Sequence, residues 1–194
     1  YVTAANMLRR AELRPRETVL VTGASGGVGG ALIQLARAAG AIPYAIASAA
    51  KADAVRACGA EAVVARDAPD LAVALAAAGA GRIDVVADVV GGSGFGALVA
   101  VLRPGGRYTC AGAIAGPIVD LDLRTLYLHD LTLVGATVTP RSAFPELVAC
   151  IERGDVRPLV AATYPLERFA EAQAAFIEKR HVGNIVIDVA GSAG

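Results

Sequence analysis

The chain has 194 residues, 55% of them hydrophobic and 19% charged, with a formal net charge of zero. That length and apolar content allow one sizeable core plus an appendage. The absence of charge bias argues against nucleic acid or an anionic membrane surface as partner. Apolar runs are broken by charge or glycine well before bilayer length and no signal peptide is visible, so a cytoplasmic protein is expected. Cys58, Cys110 and Cys150 are far apart and odd in number. They fit a reducing compartment, have no metal-ligand spacing and are expected as small apolar residues of the core. The sequence opens on Tyr1 inside a helical pattern, which points to a piece of a longer protein.

In chain order, Tyr1 to Glu12 reads as a helix with Thr3 as its N-cap and Met7, Leu8 and Ala11 along one side. Pro15 breaks it. Val19-Leu20-Val21 is a continuous apolar run, as expected of a strand buried on both faces. The turn Gly23-Ala24-Ser25-Gly26-Gly27-Val28-Gly29 follows, then helix to Ala39 with Gly40 as its C-cap. Strands are expected at 42–47, 62–64, 83–88, 106–110 and 131–136, with helices at 51–58, 70–78 and 95–102 between them. Asp67, or Pro69 with Asp70, would start the helix at 70–78. After Gly116 the rhythm changes. Helices at 142–153 and 166–179 and strands at 161–164 and 185–189 follow, and Ala190 to Gly194 reads as a flexible end.

Strands alternating with helices on short connections predict a Rossmann-type α/β fold, a doubly wound parallel sheet with right-handed crossovers. Such a sheet binds ligands past the carboxyl ends of its strands, at the switch point of strand order. The turns at 23–29, 48–51, 90–92 and 111–116 all lie at carboxyl ends and should line one crevice. The glycines allow a tight turn and close backbone approach, and the helix behind them aims unpaired N–H groups and its positive dipole end at the turn. That is an anion site suited to a pyrophosphate, with the amides near Gly27 and Val28 facing it.

The chain resembles the cofactor half of the medium-chain dehydrogenase/reductase superfamily, in its alcohol dehydrogenase and quinone oxidoreductase branch. The resemblance is carried by T-A-A-N-M-L at 3–8, V-L-V-T-G-A-S-G-G-V-G at 19–29 and D-V-V-G-G at 88–92. L-R-P-G-G-R at 102–107, Y-P-L-E at 164–167 and H-V-G-N-I-V-I at 181–187 extend it over essentially the whole chain. It implies a GroES-like catalytic domain ahead of this region, missing here, which would hold most substrate contacts and any zinc. Residues 1–137 would then be the dinucleotide-binding domain and 138–194 a remnant of the catalytic domain. Thr3 is implied near the nicotinamide, with Gly91, Gly112, Ala113 and Ala136 giving backbone contacts around the cofactor. A homodimer joined through the final sheet strand is implied too. The short-chain dehydrogenase pattern also starts T-G-x-x-x-G-x-G but needs a Tyr with a Lys four residues on. Here Ala5, Ser48, Gly112, Leu131 and Arg168 stand at those places.

A fold of this kind that takes NAD places an acid about twenty residues past the glycines for the ribose 2′-OH. Ile46 to Ala50 offer none. Ser48 and Lys51 suit a 2′-phosphate, so NADP is expected over NAD. Alternatively, Ser48 caps a helix and Lys51 is a solvated charge on a flexible stem. The resemblance also implies a tyrosine near this phosphate, where the chain has Ala65, with Arg66 beside it. His129 and His181 read as surface or structural residues and Asp84 and Asp88 as braces of the sheet. No nucleophile–base pair or metal cluster is visible, and no catalytic residue is assigned. Two functions stand: the cofactor-binding part of an NADP(H)-dependent oxidoreductase acting on a small carbonyl, alcohol, quinone or activated alkene, or a stand-alone nucleotide-binding or redox-sensing module.

Overall fold

A computed structural model describes residues 1–189; the end expected at 190–194 lies outside the described residues. Six parallel strands form one sheet in the order β3-β2-β1-β4-β5-β6, where β1 is Thr18–Val21, β2 Ile42–Ala47, β3 Ala62–Ala65, β4 Ile83–Asp88, β5 Leu102–Cys110 and β6 Thr132–Gly135. The order reverses between β1 and β4, so the switch point falls beside the glycine turn. The helices are α1 (Val2–Arg10), α2 (Gly27–Ala38), α3 (Ala52–Ala57), α4 (Leu71–Ala77), α5 (Phe95–Ala100) and α6 (Leu123–Leu128). Beyond them come α7 (Ala143–Glu152), β7 (Val160–Pro165), α8 (Phe169–Glu178) and β8 (Asn184–Asp188), with β7 and β8 paired in a separate parallel ribbon.

Alternation along β1 explains the two-sided burial. Val19 and Val21 enter the cluster with Met7, Leu32 and Ile33, while Leu20 enters the opposite one with Leu75, Leu98 and Val99. At the amino ends of the strands a charge network fixes the register. Asp84 accepts from Thr18 N and Thr18 Oγ1, each at 2.8 Å, and from Arg103 Nε, while Arg107 pairs with Glu17 at 2.6 Å. Burial pushes the Asp84 carboxyl up, but the Arg103 and Thr18 bonds outweigh it and hold its pKa below the ordinary value.

Several expectations are corrected in detail. Tyr1 and not Thr3 is the N-cap of α1, and Thr3 sits exposed inside its first turn. Asp70, accepting from Val73 N at 3.0 Å, caps α4. The helix expected from Lys51 opens as a 3-10 turn over Ala49–Lys51. Helix α6 was hidden in a stretch too short and charged to show a period; Asp122 caps it by accepting from Arg124 N at 2.9 Å. Only Cys58 is buried, Cys110 and Cys150 being partly exposed. Among the described residues no helix is long and apolar enough to cross a membrane.

Candidate functional site

The first wall of the crevice is the glycine turn. Gly23 turns the chain out of β1 with φ +57°, and Gly26 N closes the turn on Gly23 O at 2.9 Å. Gly26 is extended, and α2 starts behind it. A Cβ on Gly29 would fall 2.2 Å from Gly23 O and 2.6 Å from Ala24 Cα, so the helix is pressed against the strand end as no other residue would allow. Ala24 is fully buried beneath the turn. The first-turn amides of Gly27, Val28 and Gly29 are those an α-helix leaves without an intrahelical acceptor, and α2 is long enough to add its dipole.

The second wall is the end of β4. The Asp88 carboxylate is fully buried and accepts from Thr22 Oγ1, from Tyr108 OH at 2.6 Å, from Val90 N at 2.8 Å and from Gly91 N at 3.1 Å. Burial, and then the carboxylate beside it, pushes the Tyr108 phenol far up, so it remains a donor. Asp88 is thus a brace that locks β4 to β1 and β5. Gly92 N donates to Gly116 O at 3.0 Å and Ala115 N to Val90 O at 2.9 Å, lacing 111–116 to 90–92. Gly91 (φ +64°) lies against Ala113, and a Cβ on Gly112 would be 2.9 Å from Val89 O. A Cβ on Gly23 would be 2.8 Å from Val89 Cγ2, so both walls meet at Val89. Ala113 is exposed there, and Ala136, bonded through its N–H to Cys110 O at 2.9 Å, is buried just behind.

The third part lies at the end of β2. Ser48 stands at the N-cap of the 3-10 turn over Ala49–Lys51, but its side chain makes no capping bond there. Lys51 is not a freely solvated charge. Its Nζ donates to the carbonyls of Lys179 and His181, the latter at 3.0 Å. The next acid, Asp53, is turned to solvent and paired with Arg56 at 2.7 Å. Arg66, beside Ala65, is exposed. His129 is an exposed residue held to Thr125 O at 3.1 Å, and the His181 ring stacks by Phe176 at 5.8 Å.

Sequence reasoning missed one contributor. Gly183 N donates to Ser25 O at 3.2 Å, and Asn184 Oδ1 lies 2.3 Å from where a Cβ on Gly27 would stand. Asn184 therefore sits directly on the glycine turn. Its signal was the Gly-Asn pair within the resembling stretch H-V-G-N-I-V-I at 181–187, which a local pattern cannot connect to a turn 157 residues earlier. The turn, with its first-turn amides, its glycines packed against backbone and no acid in the chain between β2 and Asp53, fits a dinucleotide phosphate. Among the described residues no group of three or more His, Cys, Asp or Glu could hold a metal ion, so no zinc site is assigned to them.

The family described as "Zinc-binding dehydrogenase" matches residues 27–153. Acryloyl-coenzyme A reductase of Metallosphaera sedula is 36% identical over 186 residues, covering 93% of this chain and 53% of that protein. A solved structure of a candidate alcohol dehydrogenase from Sinorhizobium meliloti 1021 superposes with a TM-score of 0.92 and 55% identity, over 97% of this chain and 53% of that one. The 2-octenoyl-CoA carboxylase reductase CinF, solved with NADP and 2-octenoyl-CoA, superposes with a TM-score of 0.91 and 32% identity, over all of this chain and 48% of that one. This chain therefore spans about half the length of these relatives.

Proposed function

The chain belongs to the zinc-binding dehydrogenase family, and from that premise we propose that it is the cofactor-binding part of an NADP(H)-dependent oxidoreductase. The carrying observation is the turn around Gly29, where a Cβ would meet Gly23 O at 2.2 Å. That packing sets the α2 amides against any pyrophosphate that enters. When bound, the cofactor supplies a hydride at its nicotinamide C4 to a carbonyl, quinone or activated alkene, or takes one from an alcohol. The chain's own residues orient it. Gly27 and Val28 amides hold the pyrophosphate, Ser48 and Lys51 receive the 2′-phosphate, and Gly91, Gly112, Ala113 and Ala136 shape the nicotinamide end near Thr3. NADP is favoured because Asp53, the next acid past β2, is turned away, and because CinF is solved with NADP.

The substrate belongs to the activated-alkene class if the coenzyme A reductases among the relatives are the guide. Residues 138–189 would form part of a catalytic domain. Val160, Leu166, Phe169 and Phe176 there are each more than half exposed, which supports a partner surface over them. A homodimer through the β6 edge and a cytoplasmic location, the latter supported by the three unpaired cysteines, complete the reading. Thermal melting tests it: at a hundredfold excess over Kd, NADPH should stabilise the fold by about 2.7 kcal/mol. No shift in Tm with NADPH or NADH would overturn the proposal.

A further inference from the structure

The two carbonyls that hold Lys51 belong to the link between α8 and β8. That link is fastened again where Gly183 N–H meets Ser25 O and Asn184 lies on Gly27. Residues 179–184 thus form a strap, tied at one end to the glycine turn and at the other to Lys51. Lys179 takes a left-handed φ of +54°, uncommon for a residue with a side chain, and its own ammonium is engaged 3.4 Å above the Phe176 ring. The backbone of the strap, and not its charges, is what faces Lys51.

An ammonium has three N–H donors and no acceptor. The strap carbonyls take two. The stem of Lys51 is therefore ordered before any ligand arrives, which removes much of the entropy that immobilising a lysine would cost on binding. We infer that the strap is a positioning element: the Lys179 and His181 carbonyls hold Lys51 so that its remaining N–H meets the 2′-phosphate of NADP, and that phosphate in turn fastens the strap. This rests on the reading that the dinucleotide runs from the glycine turn to Ser48. Sharing the ammonium keeps both carbonyl bonds, whereas stripping it away would forfeit two charge-assisted bonds for one. The coupling is reciprocal, so whatever tightens the strap tightens NADP.

Limited trypsin digestion of the full chain reads the strap directly, because Lys179 and Arg180 are cleavage sites within it. Cleavage there is followed by mass spectrometry with no cofactor, saturating NAD and saturating NADP, with calorimetry giving both affinities on the same samples. Cleavage of a native segment tracks its opening. NADP should slow it about fivefold more than NAD, the low end for coupled sites. Lys51→Met keeps the stem and removes the donors. It should speed strap cleavage without cofactor and erase the difference between cofactors, while cleavage after Arg37 within α2 stays unchanged as the folding control. Equal protection by both cofactors, faster cleavage with NADP, or a Lys51→Met strap cut at the wild-type rate overturns the inference. If calorimetry shows no preference for NADP, the 2′-phosphate reading itself has failed, and the inference with it. A preference without protection defeats the inference alone.

Discussion

Gly29 and Gly30 look equivalent in the sequence, yet their surroundings differ sharply. A Cβ on Gly29 would overlap Gly23 O and Ala24 Cα, while one on Gly30 would meet only Ala24 O at 3.8 Å, an ordinary contact. Gly29→Ala should therefore cost at least about 3 kcal/mol, the upper end for overpacking against backbone. Gly30→Ala should gain about 0.5–1 kcal/mol from the helix interior. Urea unfolding of both variants checks the pair, and similar effects would contradict the packing argument. Asp84 gives a pH-dependent counterpart. Its folded pKa is depressed, so its contribution is complete above the unfolded pKa and fades as pH falls through the folded value. Asp84→Asn should destabilise the chain by about 1–3 kcal/mol at neutral pH. The gap between variant and wild type should close in acid below the folded pKa. A gap independent of pH would show that the Arg103 and Thr18 bonds are indifferent to its charge.

At the scale of elements, the sheet ends on β6, whose outer edge pairs with no other strand among the described residues. In the segment of chain that leads into β6, Ile118, Leu123 and Tyr127 are more than half exposed. A bare edge favours two-fold pairing of β6 with a second copy, and exposed apolar side chains favour association in general. Light scattering at tens of micromolar should give the mass of a dimer. Thr132→Lys, placing like charges near one another across that axis, should shift it toward monomer. A monomeric wild type would contradict this. The doubly wound parallel sheet was legible because apolar runs, capping residues and glycines all pointed the same way, whereas the order β3-β2-β1-β4-β5-β6 rests on pairings between distant segments that no local pattern carries. Helix α6 was not, since its hold comes from Asp122 and from the packing of Leu126 rather than from a periodic pattern. The glycine turn could be read from local spacing alone. The positions of Lys51 and Asn184 could not, because each depends on a segment brought back from the far end of the chain.

For the whole molecule, hydride transfer requires a substrate held against the nicotinamide at near-attack distance. The chain spans about half of its relatives. By itself the 194-residue chain should bind cofactor without turning over. Enoyl-CoA, quinone and aldehyde panels should oxidise NADPH no faster with protein than without. Steady turnover would mean the described residues already form a substrate site. The central claim, that the crevice is an NADP site read by its pyrophosphate turn and by Lys51, is tested most directly by calorimetric titration of NADPH and NADH into wild type and Lys51→Ala. A charge-assisted bond to the 2′-phosphate is worth about 1.5–3 kcal/mol, and its partly open position places it at the low end, so NADPH should bind about tenfold more tightly. Lys51→Ala should remove most of that preference while leaving NADH affinity nearly unchanged, and added salt should shrink it in the wild type. Equal wild-type affinities, or a variant that loses both cofactors alike, would contradict the account.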